Sequence, residues 1–248
     1  MKGVLVVTGG GRGIGAATAR LGSARGYAVC VNYVSDRASA ERVVGEIATA
    51  GGRVFACRAD VSKEAEVEAL FSAVNRELGP ATALVNNAGV AGRLGRLDQV
   101  DSETLRRVVE TNLMGTLYCC RAAIRRMSRR HGGAGGTIVN LSSGAATIGS
   151  PNTYVWYAAA KGAINSLTLG LGKELASEGI RVNAVAPGYV ETEIHAASGM
   201  PDRIAKEAHL VPIGRAARPE EIAESILWLL SDAASYVTAS VLRVAGGR

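Results

Sequence analysis

An alternation of two hydrophobic periods runs the length of this chain. Short apolar, β-branched runs, VLVVT (4–8), AVCVNY (28–33), RVFACRAD (53–60), TALVNNA (82–88), TIVNLSS (137–143), IRVNAVAP (180–187) and SVLRVAG (240–246), are separated by helical patterns near 13–25, 36–50, 63–77, 101–130, 157–178 and 219–231. Runs without a polar face belong to strands buried on both sides, and a helix between each pair carries the chain back along the sheet. This predicts an α/β fold: a parallel sheet with helices on both faces and right-handed crossovers. Neither a linker nor a composition shift breaks the alternation, which predicts one domain over residues 1–248. The irregular stretch 188–215 holds Gly188, Gly199, Pro201, Pro212 and Gly214 around a short polar helix-like piece. It follows the end of a strand, where a doubly wound fold places its ligand, and is expected to be a substrate lid.

The formal charge of +6 is spread along the chain, with one local cluster, RRMSRRH at 125–131. Lacking interleaved aromatics, this cluster does not suit a single-strand binder; it fits a solvated helix C-terminus, where cations oppose the dipole. No apolar run reaches membrane-spanning length, so neither nucleic acid nor membrane is expected as a partner. Cys30, Cys57, Cys119 and Cys120 have no CxxC spacing and no histidine neighbours. They read as small buried hydrophobes of a reducing compartment, and no metal site is expected. The opening MKGVLVVTGG is broken by glycine too early for a signal peptide, which predicts a cytoplasmic location.

VLVVTGGGRGIGAATAR joins a strand, a glycine turn and an Ala-rich helix. Gly9, Gly13 and Gly15 have the spacing GxxxGxG. The first allows the tight turn, the second admits a pyrophosphate to backbone N–H groups, and the third lets the helix pack close to the strand. The second strand is expected to end at Tyr33, where an NAD-preferring site usually offers a carboxylate to the adenosine ribose. Tyr33 is followed instead by Val34, Ser35, Asp36 and Arg37. Arg12 and Arg37 are expected to bind a 2′-phosphate and Asp36 to cap the next helix, so NADP(H) is the expected cofactor and NAD(H) the alternative.

Several motifs occur in fixed order: TGGGRGIG (8–15), DV (60–61), NNAG (86–89), Asn112, Ser143, YAAAK (157–161) and PGYVET (187–192). Together they closely resemble the short-chain dehydrogenase/reductase family over essentially the whole chain. The resemblance implies a Rossmann-type, doubly wound sheet of seven parallel strands, a nicotinamide cofactor and usually a homotetramer. It implies catalytic roles for Asn112, Ser143, Tyr157 and Lys161, with Lys161 also holding the nicotinamide ribose and Asn112 feeding a water-linked proton relay to Lys161. Further cofactor contacts are implied for Ile14 in the glycine motif, Tyr33, Ser35, Asp60 and Val61 around the adenosine, and Asn87, Ala88 and Gly89 in the stretch that Asn86 begins. Pro187, Gly188, Val190 and Thr192 resemble the loop that meets the carboxamide end of nicotinamide. The stretch 142–248 looks most like bacterial reductases labelled as sugar dehydrogenases or 3-oxoacyl-carrier-protein reductases.

Elementary chemistry points to the same residues. Tyr157 and Lys161 are i and i+4 and share a helix face. A free phenol titrates near about 10, and a neighbouring ammonium is expected to lower that value. Ser143 ends a strand on the ligand edge and can hydrogen-bond a substrate oxygen; because strand residues alternate, Ser142 is expected to face away. The Ser143–Tyr157 spacing is one residue longer than the family pattern, and the GSPNT loop is expected to absorb the addition. Tyr154 is expected to line or buttress the substrate pocket, and Trp156 to face packing. Asp60 can also serve as an N-cap before SKEAEVEAL.

The functional expectation is therefore an NADP(H)-dependent oxidoreductase acting on a small-molecule carbonyl or secondary alcohol, with Tyr157 as general acid/base. A 3-oxoacyl-carrier-protein reductase, whose acidic partner suits a basic surface, is one alternative. An NAD-linked sugar (glucose) dehydrogenase and a non-catalytic dinucleotide-binding protein are the others. His195 and His209 read as lid surface, Glu193 and His195 as candidate polar contacts to substrate, Arg93–Asp98 as another cleft wall, and Trp228 as core or subunit interface.

Overall fold

Strand β1 (Gly3–Val7) lies inside the sheet, between β2 (Tyr27–Tyr33) and β4 (Ala83–Asn86). Outside β2 lies β3 (Val54–Arg58); beyond β4 come β5 (Gly136–Leu141), β6 (Ile180–Pro187) and β7 (Ser240–Val244). All seven strands are parallel, in the order β3-β2-β1-β4-β5-β6-β7. The order reverses between β1 and β4, the switch point where ligands enter such sheets. This is the computed structural model of the chain, and it describes residues 2–248 apart from the side chain of His195.

The helices are α1 (Gly13–Ala24), α2 (Arg37–Thr49), α3 (Glu64–Glu77), α4 (Ser102–Val109), α5 (Gly115–Met127), α6 (Ala145–Ile148), α7 (Val155–Glu174), α8 (Ile194–Ala197), α9 (Arg203–Glu207) and α10 (Pro219–Leu230). Alternate residues of one strand serve opposite layers. Leu5 and Val7 of β1 pack with Ala19, Val43 and Ile226 from α1, α2 and α10, whereas Val4 and Val6 pack with Leu70, Phe71 and Ala122 from α3 and α5. Close packing on the first face depends on a missing side chain, since a Cβ at Gly22 of α1 would lie 2.6 Å from the Leu5 side chain.

Two departures from the sequence expectation shape the site. The single helix expected over 101–130 is divided: between α4 and α5 the backbone widens into a π-helical turn at Glu110–Met114, with Asn112 inside it. Such a turn admits one extra residue, and here it delivers a polar side chain to the sheet edge. The strand expected over 137–143 ends at Leu141; Ser142 N–H still donates to Val185 O (2.8 Å) of β6, and Ser143 follows at the carboxyl edge. The segment 188–215 leaves β6 and contains α8 and α9. Among the described residues no helix is long and apolar enough to cross a membrane.

Candidate active site

The carboxyl ends of β1, β4, β5 and β6 open on a cleft of about 560 Å³. Gly9, Arg12, Gly13 and Ile14 form one end of it. Asn87, Ala88 and Gly89 lie along its floor, with Ser143, Tyr157 and Lys161 beyond. Pro187, Gly188, Val190, Thr192 and Glu193 also line the cleft, Thr192 and Glu193 lying against Gly13.

Tyr157 and Lys161, one turn apart on α7, are both buried. The Lys161 Nζ donates to the Leu141 carbonyl oxygen (2.6 Å) at the end of β5 and sits 5.7 Å from the Tyr157 ring centroid. Burial holds the ammonium down to a pKa of about 8. The phenol is pushed up, first by burial and then by the neighbouring Tyr154, while a hydrogen bond with Ser143 acts in the opposite direction. The expected lowering of Tyr157 by Lys161 is thus corrected: desolvation dominates, and Lys161 is not among the groups that oppose it. Ser142 donates through its hydroxyl to the Lys161 carbonyl (3.3 Å), so that its side chain serves the α7 backbone, as its alternate position requires.

Asn112 does not line the cleft. Completely buried, it braces the floor from behind, its Oδ1 accepting from Val90 N–H (2.8 Å) and its Nδ2 donating to Val90 O (2.7 Å). A Cβ on Gly89 would fall 2.9 Å from Asn112 Oδ1 and 3.6 Å from Lys161 Nζ, so the amide, the glycine and the ammonium share one corner.

The glycine loop fits a dinucleotide. Gly9 and Gly13 have φ of +60° and +49°, a region glycine enters without penalty. A Cβ at Gly15 would lie 2.4 Å from the Gly9 carbonyl oxygen and 2.5 Å from Asn87 Nδ2; Gly15 itself packs behind the loop rather than on the cleft. The first turn of α1 carries no acidic residue, leaving its N–H groups and dipole available to a phosphate. Thr8 and Asn32, which sequence reasoning missed, hold the loop in place. Thr8 Oγ1 accepts from the N–H groups of Asn87 and Ala88 (both 3.0 Å), and Asn32 Oδ1 from Gly9 N–H (3.3 Å). An Asn inside the otherwise apolar run AVCVNY was the available signal.

The nominated adenosine contacts stand apart from this cleft. Tyr33 ends β2 half-buried, and Ser35 and Arg37 are exposed beyond it. Arg37 Nε donates to Glu41 (2.6 Å) along α2, and Arg12 pairs with Asp36 (3.6 Å). Asp36 caps α2 as expected, accepting from Ser39 N–H (3.0 Å), and this bond holds its carboxyl below the usual range. Asp60 is not the N-cap of α3. Lys63 occupies that position, and Asp60 instead closes a turn by accepting from Ser62 N–H (3.0 Å) and Oγ (2.7 Å). Val61 is buried against Gly115.

Other expectations divide. Trp156 packs with its Nε1 donating to Ala91 O (2.9 Å), and Tyr154 lines the cleft. Leu94 and Gly95 do not form a cleft wall: their N–H groups donate to the Ser198 and Thr153 carbonyls (3.4 and 2.8 Å) and brace the surrounding loops. Trp228 is not core, standing 41% exposed on the opposite face of α10 from the buried Ile222, Ile226 and Leu229. His209 is exposed, and His195 lies outside the described side chains. Arg125 and Arg126 close α5 and pair with Glu68 of α3 (3.4 and 3.3 Å), as a solvated helix end does. The four cysteines are free thiols, and burial pushes Cys120 up to about 12.

With this geometry in place, the comparisons with known proteins agree. A family model described as enoyl-(acyl carrier protein) reductase matches residues 9–248. The chain belongs to the short-chain dehydrogenase/reductase family, and is an NAD(P)-dependent oxidoreductase acting on a CH–OH/C=O pair. It is 47% identical over 245 residues to the uncharacterized oxidoreductase YgfF of Escherichia coli (strain K12), covering 99% of each chain. It is 44% identical to a cis-4-hydroxycyclohexanecarboxylate dehydrogenase of Sinomonas cyclohexanicum, covering 98% of this chain and 95% of that one. Among solved structures, a 3-ketoacyl-(acyl-carrier-protein) reductase from Brucella melitensis complexed with NADH superposes with a TM-score of 0.91 at 35% identity, covering 99% of this chain and 98% of that one.

Proposed function

We propose that this chain, acting as one domain with 188–215 as its substrate lid, moves a hydride between NADP(H) and a small carbonyl compound or secondary alcohol. The observation that carries the reading is the meeting of Ser143, Tyr157 and Lys161 in one cleft with the glycine loop. Bound nicotinamide supplies or accepts the hydride. Tyr157 gives its phenolic proton to the carbonyl oxygen, or takes it back in the reverse direction, and Ser143 hydrogen-bonds the same oxygen. Lys161 holds the nicotinamide ribose beside Tyr157, and Asn112 holds the floor behind it. The preference for NADP(H) rests on Arg12 and Arg37 and on the lack of an acid at the end of β2; the family's usual homotetramer and a reducing cytoplasm complete the reading.

A panel of aldehydes, ketones, sugars and 3-oxoacyl thioesters, each tested with NADPH and NADH, checks this proposal. Turnover with NADPH is expected to be the more efficient; equal efficiency, or preference for NADH, would overturn the cofactor assignment. The 3-oxoacyl-carrier-protein reductase is kept as a second reading because of the Brucella structure. The pairing of Arg125 and Arg126 with Glu68 weakens it, since these cations are already partly neutralised.

The proposal carries a pH dependence. Burial raises Tyr157 and lowers Lys161 to about 8, so in the reducing direction the proton donor remains protonated while the ammonium is lost first. Carbonyl reduction is therefore expected to decline as pH rises through about 8. A kcat/KM profile that is flat through that pH would remove Lys161 from this role.

A further inference from the structure

The lid carries a basic cluster that the hydride-transfer chemistry does not use. Arg203, the first residue of α9, is only 7% exposed and lines the cleft. Its Nη1 donates to the Tyr154 hydroxyl (3.1 Å) and its Nε to Glu207 (3.4 Å). These bonds leave Nη2 without an acceptor among the described residues, although a guanidinium presents five N–H donors. The Tyr189 ring lies between two cations, 5.4 Å from the Arg203 guanidinium carbon and 4.1 Å from that of Arg248. Tyr189 in turn donates its hydroxyl proton to Glu207. Arg248 also lines the cleft, and its charge helps hold the Glu207 carboxyl below its usual value. The Arg203–Glu207 pair and Arg248 thus gather around one buried ring, and Arg203, with Nη2 still unpaired among the described residues, lines the cleft. A buried charge is costly unless a counter-charge reaches it.

We infer that Arg203, with Arg248 beside it, binds an anionic end of the substrate, a carboxylate or an oxyanion of similar size, while the reacting carbon meets Tyr157. This inference rests on the hydride-transfer reading and narrows it to hydroxy acids and oxo acids. Two short steps fix the scale: the Tyr157 and Tyr154 rings meet edge to face at 5.2 Å, and the Arg203 guanidinium carbon lies 5.1 Å from the Tyr154 ring. The anion and the reacting carbon are thus joined by a short chain or a single ring. Arginine suits the task because its planar fork matches a carboxylate in two places at once.

The test compares each oxo acid with its own carboxamide, which keeps the skeleton and removes the charge. In the full chain with NADPH, kcat/KM for the acid is expected to exceed that for the carboxamide by about tenfold or more, the scale of a charge-assisted hydrogen bond. Calorimetry in the presence of cofactor is expected to give hexanoate the same advantage over hexanamide. Arg248→Gln, and the paired change Arg203→Gln with Glu207→Gln, which leaves no carboxylate stranded, are each expected to shrink both ratios toward one. Because each ratio is taken within one variant, a fall in folded fraction does not move it, and a merely structural latch between α9 and Tyr154 leaves it unchanged. Absence of turnover on every compound would count against hydride transfer, with calorimetry still deciding the anion site. Equal affinity for hexanoate and hexanamide, or a ratio that survives both changes, would overturn the anion site alone.

Discussion

Replacing Tyr157 with phenylalanine is expected to lower kcat for carbonyl reduction by about 10²–10⁴-fold, the span that a positioned acid contributes. The change is small in every other respect. A phenylalanine ring retains the edge-to-face contact with Tyr154 and the cation above its face from Lys161. Lys161 keeps its bond to Leu141 O, and Ser143 Oγ still accepts from Ala145 N–H (3.2 Å). Stability is expected to move by no more than about 1–2 kcal/mol, because a single buried hydroxyl is lost. Affinity for NADPH, read by fluorescence titration, is expected to change little. A variant that binds cofactor normally and turns over at the original rate would remove Tyr157 from the mechanism; a variant that loses cofactor as well would make the hydroxyl a binding group.

How much of this was legible in the sequence follows from which forces are local. Strand runs and helix periods report burial directly, so β6 emerged with its observed bounds and α1, α2 and α3 within about two residues, the ordinary uncertainty of helix ends. The glycine spacing was legible because only a missing Cβ permits the approaches at Gly9, Gly13 and Gly15. The division of the helix over 101–130 was not: a π-helical turn leaves no hydrophobic period of its own, and Asn112 signalled only poor propensity. Nor was the direction of the Tyr157 shift, since i,i+4 spacing predicts proximity to Lys161 but not that Nζ turns to Leu141.

The lid shows the same limit from another side. Arg203, Glu207, Tyr189 and Arg248 belong to no shared periodic pattern, and three separate stretches of chain contribute them, so only the folded chain brings them together. The sequence places Tyr154 at the pocket from its position in the loop three residues before Tyr157, yet its partner Arg203, 49 residues away, is not legible there. Contacts between a loop and a distant segment depend on tertiary geometry, which single-sequence periodicity does not encode.

Asn112 provides the second large effect. Its side chain spends an acceptor on Val90 N–H and a donor on Val90 O, and it has no exposure to water. Asn112→Leu leaves both Val90 groups without these partners, and each buried unsatisfied group costs about 1–3 kcal/mol. A total loss of about 2–5 kcal/mol is therefore expected in urea unfolding. Function is expected to fall with it, because Val90 and Gly89 line the cleft beside Lys161 and their loosening disturbs the cofactor floor. Asn112→Asp adds a different cost: the carboxyl still accepts from Val90 N–H but, as a buried anion facing Val90 O, it destabilises the fold unless protonated, so a stability that recovers as pH falls is expected. A pure proton-relay role predicts a different pattern, lower kcat at unchanged stability and unchanged cofactor KM. Unfolding midpoints and NADPH titrations on the two variants distinguish these outcomes, and full stability in Asn112→Leu would overturn the bracing role.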